Sequence, residues 1–318
     1  DTTAALALLE EGIGRYPATA PKLYMMGGQI CSDDLSAKLL PSKLPPRGGK
    51  EEETVSSERK RKKLRSYLDK ARRIYQEGIE KCRTGTDNVT LWILASRLEE
   101  RAHTFAAFLP GDDDDDGSAH QRAKQQGVTK ARSLLELARL QHPKNDELWL
   151  EATRLERRSG NPGMADSLMA RALQERPKSG LLLAEHISTA PRAVRKSRSA
   201  AAIKRNPESP LVIAAVAELF AADRKEAKAR KWFERAVLLD PDLGDSWARY
   251  ARFERDRGTP SSRAAVRERC AEAAPRHGEV WQAATKAMEH RRKPVREGLD
   301  LAVAALDAAA ASRPPSSG

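Results

Sequence analysis

A recurrent proline is the sequence feature that most constrains how this chain can fold. Five prolines recur at intervals of 34, 30, 34 and 34 residues, at Pro143, Pro177, Pro207, Pro241 and Pro275. Apolar residues spaced as on one face of a helix precede each proline, and a second such segment follows it. Proline ends a helix because it has no N–H to donate. The pattern therefore predicts a series of helical hairpins.

The clearest unit covers residues 227–258. Its template is small, bulky, small, proline and aromatic, represented by Ala229, Phe233, Ala236, Pro241 and Trp247. A period of 34 is typical of tetratricopeptide (TPR) repeats, each of which is one helix-turn-helix unit. We predict about seven such units over residues 1–311.

The same template assigns structural core residues to the other units. They are Ala71, Tyr75 and Trp92; Ala131, Leu135, Ala138, Pro143 and Trp149; Met169, Ala172 and Pro177; and Pro275 and Trp281. The unit around Pro207 fits worst, because Arg195 and Ser199 occupy its small and bulky places.

Composition favours an all-α fold. Hydrophobic residues make up 40% of the chain, but aromatic residues only 5% and charged residues 32%. So few aromatic and so many charged residues do not suit one thick core, but they are normal for a helical array, in which every residue lies near the surface. The dominant residues, Ala, Leu, Glu, Arg and Lys, are good helix formers. No apolar run reaches the roughly 20 residues of a membrane span, so no membrane partner is expected.

Two polar stretches interrupt the predicted array. Residues 32–58 are rich in Pro, Gly, Lys and Glu, and we expect a disordered insertion there. Residues 110–127 include the five aspartates 112–116, and we expect an acidic loop. A divalent-cation site there would need ligands held by defined turns, so a solvated loop is favoured. Residues 312–318 are expected to form a flexible tail. Because the chain begins with Asp1 and not with Met, and its first residues do not resemble a signal peptide, we expect a fragment of a longer protein.

No catalytic, cofactor or metal site is predicted. The sequence contains no Gly-rich phosphate loop, no nucleophile elbow and no carboxylate pair placed for acid–base work. Its three cysteines lack metal-ligand spacing, and we expect reduced thiols, with Cys270 in the core. His120, His142 and His277 have no partner at ligand spacing. We expect neither an enzyme nor a small-molecule substrate.

The net charge of +12 permits contact with nucleic acid, but a charged solvated face is the favoured explanation. The densest cluster is a candidate basic patch formed by Arg59, Lys60, Arg61, Lys62 and Lys63. Two interpretations stay open: a nuclear-import or phosphate-binding patch, or the solvated start of the helix that carries Ala71 and Tyr75.

An acidic residue recurs on the tryptophan-bearing helices. It lies seven positions after the tryptophan as Glu99, Glu156 and Glu254, each preceded by an apolar residue. This Trp–x5–apolar–Glu pattern resembles the half-a-tetratricopeptide (HAT) repeat, a variant concentrated in RNA-processing proteins. We expect the carboxylates to pair with basic residues of the adjoining helix, such as Arg171 or Arg235. The alternative is a row of acidic ligand contacts.

Longer strings resemble one family in particular. Residues 229–281 resemble the C-terminal repeats of the pre-mRNA-splicing factor 6 family, the large HAT-repeat protein of the spliceosomal tri-snRNP. The most telling strings are LGDSW at 243–247 and PRHGEVW at 275–281, and two upstream strings, at 21–30 and 167–180, are similar as well. With the repeat period, the resemblance implies an all-α fold, a right-handed α-solenoid of HAT/TPR-like hairpins.

The resemblance also implies a nuclear scaffold. Such a protein bridges component particles of the tri-snRNP through contacts with spliceosomal snRNP proteins, with RNA contact secondary and salt-sensitive. Two alternatives stay open. One is another HAT-repeat scaffold, of mRNA 3′-end formation or ribosomal RNA maturation. The other is a TPR co-chaperone, which needs a basic clamp for an acidic C-terminal peptide.

Overall fold

The computed structural model of the chain describes residues 2–18, 20–38, 51–83, 86–106, 118–287, 290 and 292–311. Within these ranges the chain forms fifteen α-helices and no β-strand. They are α1 (Thr2–Arg15), α2 (Pro21–Lys38), α3 (Glu51–Lys81), α4 (Thr86–Ala106), α5 (Ser118–Gln141), α6 (Asp146–Arg158), α7 (Pro162–Glu175), α8 (Gly180–Ser188), α9 (Arg192–Arg205), α10 (Pro210–Ala222), α11 (Glu226–Leu239), α12 (Gly244–Arg257), α13 (Pro260–Ala273), α14 (Glu279–Thr285) and α15 (Val295–Ala311). No helix of this set is long and apolar enough to cross a membrane.

The helices alternate as the repeat template requires. Odd-numbered helices up to α13 are the first helices of the predicted units, and the even-numbered ones are the second helices. The template prolines lie in the turns between them. The all-α class and the helix-turn-helix repeat are therefore confirmed. The core assignment is wrong for three prolines, since Pro143, Pro177 and Pro241 are exposed and lie in the turns that end the first helices.

The chain divides into two compact units, Asp1–Ala170 and Arg171–Gly318. In the first unit, Ala71 and Tyr75 of α3 pack with Tyr24 of α2, and Trp92 of α4 packs with Leu135 of α5. The predicted small and bulky positions Ala131, Ala138 and Met169 are buried as well, and so is Ala172, which lies in the second unit. The core of the first unit is therefore a series of local clusters. Each fully buried large side chain in them contributes on the order of 2 kcal/mol.

The second unit has an aromatic core. The rings of Phe233 and Tyr250 stack with centroids 5.6 Å apart, and Phe253 lies 5.3 Å from Phe233. Trp247, Trp281 and the buried Cys270 belong to the same cluster. First and second helices are thereby held together by large side chains that the repeat template places at their interface.

The two insertions are shorter than expected. Helical backbone continues to Lys38 in α2 and begins at Glu51 in α3, so the predicted disorder of residues 32–38 and 51–58 is wrong. Likewise α5 begins at Ser118, inside the predicted loop 110–127. A packed helix can extend into polar residues of good helix propensity without further apolar contacts. Residues 39–50, 107–117 and 312–318 lie outside the described residues.

Hydrogen bonds join the turns of successive repeats. In the first unit, Asn88 donates to the Cys82 carbonyl at 2.6 Å, and its Oδ1 lies 2.8 Å from His142 Nε2 in the following turn. In the second unit, Asn206 donates to the Lys178 carbonyl at 2.8 Å, across 28 residues. The bonds to Cys82 and Lys178 satisfy backbone carbonyls in the turns, which have no partner within a helix.

Asp245 caps a helix of the next repeat. Its carboxylate accepts the backbone N–H of Glu279 at 3.0 Å and that of Trp281 at 2.8 Å, both in the first turn of α14. The residue before α14 is Gly278, with φ of 122°, where a Cβ would lie 2.4 Å from Asp245 Oδ1. Gly244-Asp245 of the string LGDSW and Gly278-Glu279 of the string PRHGEVW thus lie in one contact between α12 and α14, which we call the joint.

Gly244 gives a direct test of this joint. A Cβ at Gly244 would lie 2.2 Å from the Trp281 ring, so we expect Gly244→Ala to lower the free energy of unfolding by about 2 kcal/mol. Urea denaturation followed by tryptophan fluorescence measures the loss. Gly163→Ala is the control, because a Cβ there meets nothing within 4 Å, and it should leave stability unchanged or slightly raised. Equal stability of both variants would contradict the packing described here.

Candidate functional site

Each recurrent glutamate of the second helices holds an arginine of the first helix in its own hairpin. Glu99 accepts from Arg72 at 2.5 and 2.8 Å, and Glu156 accepts from Arg132 at 2.5 and 2.7 Å. Glu254 accepts from Arg230 at 2.6 and 3.2 Å. All three contacts are bidentate, with guanidinium Nε and Nη2 facing the two carboxylate oxygens. This is the strongest geometry for such a pair.

The expected partners Arg171 and Arg235 are wrong. Arg171 pairs with Glu175 on its own helix at 3.5 Å, and Arg235 donates to the Pro207 carbonyl at 3.1 Å. The true partner directly follows the small residue of the template, as in Ala229-Arg230. A side chain at that place starts beside the line where the two helices meet, so it reaches the buried carboxylate of its own hairpin.

A sequence signal for this pairing exists within the repeats themselves. Units that carry the glutamate also carry the arginine, and units that lack one lack the other. The corresponding arginine and glutamate places are Asp166 and Ala190 in α7–α8, Lys196 and Phe220 in α9–α10, and Ala264 and Met288 in the last hairpin. The joint presence or absence is a sequence signal that favours Arg72, Arg132 and Arg230 as the partners.

The buried carboxylates also contact the following repeat. Glu156 accepts a further hydrogen bond from Asn161, just before α7, and Glu254 accepts one from Ser262 of α13 at 2.6 Å. Glu254 is fully buried and Glu156 is 2% exposed. The hydrogen bond from Arg132 holds the pKa of Glu156 below its ordinary value although burial opposes this. The arrangement uses each carboxylate internally, which leaves little capacity for an external ligand.

A second set of ion pairs links the second helices of successive repeats. Glu151 of α6 accepts from Arg97 of α4 at 2.6 Å and from Arg158 at 2.7 Å, and Arg158 also binds Glu100 at 2.8 Å. In the second unit, Glu218 of α10 accepts from Arg252 of α12 at 3.0 Å. Burial alone would raise the pKa of Glu151, but Arg97 and Arg158 lower it to about 2.

The candidate basic patch lies on α3. The backbone from Arg59 to Lys63 is part of that helix, which also carries Ala71 and Tyr75. Lys62 is exposed, and the side chains of its four basic neighbours lie outside the described set. Both interpretations of the patch stay predictions.

The described residues include no group of three His, Cys, Asp or Glu side chains that could hold a metal ion. Cys31, Cys82 and Cys270 are buried thiols outside any disulfide, and burial raises the pKa of Cys270 to about 12. The aspartate run 112–116 and the side chain of His120 lie outside the described residues.

Hairpins α3–α4, α5–α6 and α11–α12 are each joined internally by a buried arginine–glutamate pair, and the repeated helix-turn-helix unit defines a helical-repeat protein of the HAT/TPR-like class. Over 298 residues, 94% of its length, the chain is 31% identical to pre-mRNA-splicing factor prp1 of Schizosaccharomyces pombe, of which it covers 26%. It is 44% identical over 110 residues, 35% of its length, to human pre-mRNA-processing factor 6, of which it covers 12%. It is 45% identical over 117 residues, 37% of its length, to Protein STABILIZED1 of Arabidopsis thaliana, of which it covers 11%.

No family model matches the chain. The resemblance to the pre-mRNA-splicing factor 6 family is confirmed by the fission-yeast relative over 94% of the chain and by the human relative over 35% of it. The chain spans about a quarter of the fission-yeast relative and about a tenth of the other two.

The buried pair predicts unequal effects of two arginine substitutions on the same helix. Arg230→Gln leaves the fully buried Glu254 without its guanidinium, and we expect a loss of about 3 kcal/mol in the free energy of unfolding. Arg235→Gln is the matched control, because Arg235 is exposed and makes one hydrogen bond to a carbonyl, and its loss should stay below about 1 kcal/mol. Chemical denaturation of both variants measures the difference. Similar losses would show that the buried pair has no special role.

Glu151 predicts a pH dependence of stability. Its pKa is about 2 in the folded chain, against an ordinary value of 4.5. Because the folded pKa is the lower one, the ionised carboxylate stabilises the fold above pH 4.5, and this contribution is lost as the pH falls from 4.5 to about 2. The loss amounts to about 3 kcal/mol.

Unfolding free energies measured between neutral pH and pH 3 test this dependence. Glu151→Gln should lose less stability on acidification than the wild type does. Glu136→Gln, which removes an exposed carboxylate of α5, should retain the wild-type dependence. An unchanged pH dependence in Glu151→Gln would contradict the assignment.

Proposed function

We propose that this chain is part of a nuclear scaffold of the spliceosomal tri-snRNP and bridges its component particles through protein–protein contacts during pre-mRNA splicing. The observation that carries the proposal is the similarity to pre-mRNA-splicing factor prp1 over 94% of the chain. The human relative, a pre-mRNA-processing factor, supports the same process and a nuclear location. The proposed partners are spliceosomal snRNP proteins.

The construction of the hairpins supports a binding role. Stacked helical repeats present a large surface relative to their mass, and stable protein complexes bury on the order of 1,600 Å². The buried charged groups Glu151, Glu156 and Glu254 are occupied by arginines of the same chain. We therefore propose that the chain acts by binding and not by catalysis.

Recovery from nuclear extract tests the proposal. The 318-residue chain, immobilised at moderate salt, should retain tri-snRNP proteins together with their small nuclear RNAs. An unrelated helical-repeat protein of equal net charge serves as the control bait and should retain neither. Mass spectrometry and RNA sequencing identify what is bound.

Other sets of partners would overturn the specific assignment. Recovery of mRNA cleavage factors or ribosome-assembly factors would favour another HAT-repeat scaffold. Recovery of chaperones, together with binding of a short acidic C-terminal peptide, would favour a TPR co-chaperone. In either case the helical repeat would stand and the tri-snRNP role would fall.

A further inference from the structure

Helix α9 departs from the packing pattern of the repeat. Arg195 and Ser199 occupy its small and bulky places, and only Ser199 and Ala202 of its 14 residues are buried. By contrast, α11 buries four apolar side chains, including Phe233. Helix α9 therefore gains little from apolar burial. Departures from a fold's own packing rule often mark functional positions.

The same helix carries an unusual charge. It has six basic residues and no acidic one: Arg192, Arg195, Lys196, Arg198, Lys204 and Arg205. Two of them face the protein, since Arg195 donates to the Ala190 carbonyl and Arg198 lies 3.5 Å from His186 Nδ1.

The remaining basic residues of α9 face solvent. Lys196 is 80% exposed and lies 3.6 Å from Asp223. Arg192, Lys204 and Arg205 are exposed and form no ion pair with any described residue. Three cations are thus available to an external anion.

The neighbouring repeats add charge at the C-terminal end of α9. The turn after α9 contacts Lys178 through Asn206 and contacts Arg235 through the Pro207 carbonyl. Both basic side chains are exposed. The exposed Glu208 in the same turn and Asp223 beside Lys196 are the opposing charges, so the surface remains strongly positive.

The outward face of α9 carries mostly small side chains between its cations. Ala193, Ser197, Ala200 and Ala201 are exposed, and the one large apolar side chain there, Val194, is 39% exposed. Protein interfaces depend on buried aromatic or large aliphatic anchors, and single-stranded nucleic acid is held by aromatic stacking. Helix α9 offers neither. Double-helical RNA, in contrast, is bound through phosphate and 2′-hydroxyl contacts and by shape.

We propose that α9 and the turn that follows it bind the phosphate backbone of double-helical RNA without sequence specificity. Arg192, Lys204 and Arg205 neutralise phosphates, and the exposed alanines let the backbone approach closely. This activity extends the proposed scaffold role and does not depend on which proteins the chain bridges.

A charge-matched pair of triple variants tests the proposal. The test variant is Arg192→Gln, Lys204→Gln and Arg205→Gln. The control is Lys130→Gln, Lys286→Gln and Arg292→Gln, which removes the same charge from exposed positions elsewhere. Glutamine has a helix propensity similar to that of lysine and arginine, so α9 should stay helical. Circular dichroism and thermal melting check this, and single substitutions replace the triple variant if it fails to fold.

Fluorescence anisotropy with an RNA duplex of roughly 20 base pairs measures affinity across a salt series. At about 0.1 M salt the test variant should bind about tenfold or more weakly than the wild type, and its log–log salt slope should be about 2 to 3 units shallower. The control should bind within about twofold of the wild type, because it removes charge without a contact.

Three results would overturn the proposal. Equal losses in both variants would show an effect of net charge alone. Tighter binding of a single strand of equal length would exclude duplex recognition. Displacement of the duplex by a glutamate-rich peptide that binds more tightly would assign α9 to an acidic protein. Recovery of snRNP proteins after RNase treatment is a separate readout, which distinguishes failure of the RNA contact from failure of the scaffold role.

Discussion

The buried carboxylate–guanidinium pair is the contact on which the hairpins α3–α4, α5–α6 and α11–α12 depend. In α11–α12 the proline turn closes one end of the hairpin, and Arg230 with Glu254 closes the other, near the start of α11 and the end of α12. The arginine is partly exposed and the glutamate is fully buried. An unpaired carboxylate in that place would be far more costly than an unpaired arginine, so the glutamate is tolerated only where the first helix supplies its partner.

Hairpins without the pair are held together differently, and this difference leaves room for function. In α9–α10 the second helix is almost wholly apolar, with Val212, Ile213 and Val216 buried. Burial of α10 relieves α9 of most of its packing role. Helix α9 can then expose its arginine and lysine side chains, whereas α3, α5 and α11 each pair an arginine with a buried glutamate. The apolar packing of α10 thus permits the unusual basic surface of α9.

Much of this architecture could be predicted because it depends on local periodicity. Turn positions, helix alternation and the burial of Trp92, Trp149, Trp247 and Trp281 all follow from apolar spacing and proline stereochemistry. The insertion limits could not be predicted, since composition does not show how far a packed helix extends into polar sequence. Gly127 shows the difficulty: it suggests a loop, yet it lies within α5, where a Cβ would come within 2.7 Å of the Glu99 carbonyl oxygen.

The sequence by itself determined the repeat, its period and most residues of its core, because these depend on the apolar spacing within each helix and on the positions of the turn prolines. Only the tertiary structure decided which charged groups meet. Arg230 and Arg235 lie on the same helix and are both plausible partners for Glu254, but the crossing of α11 and α12 brings only Arg230 to the carboxylate. Asp245 suggests a cap for its own helix, yet it caps α14, more than 30 residues later. Pairings across such separations depend on how helices cross, which no local pattern encodes.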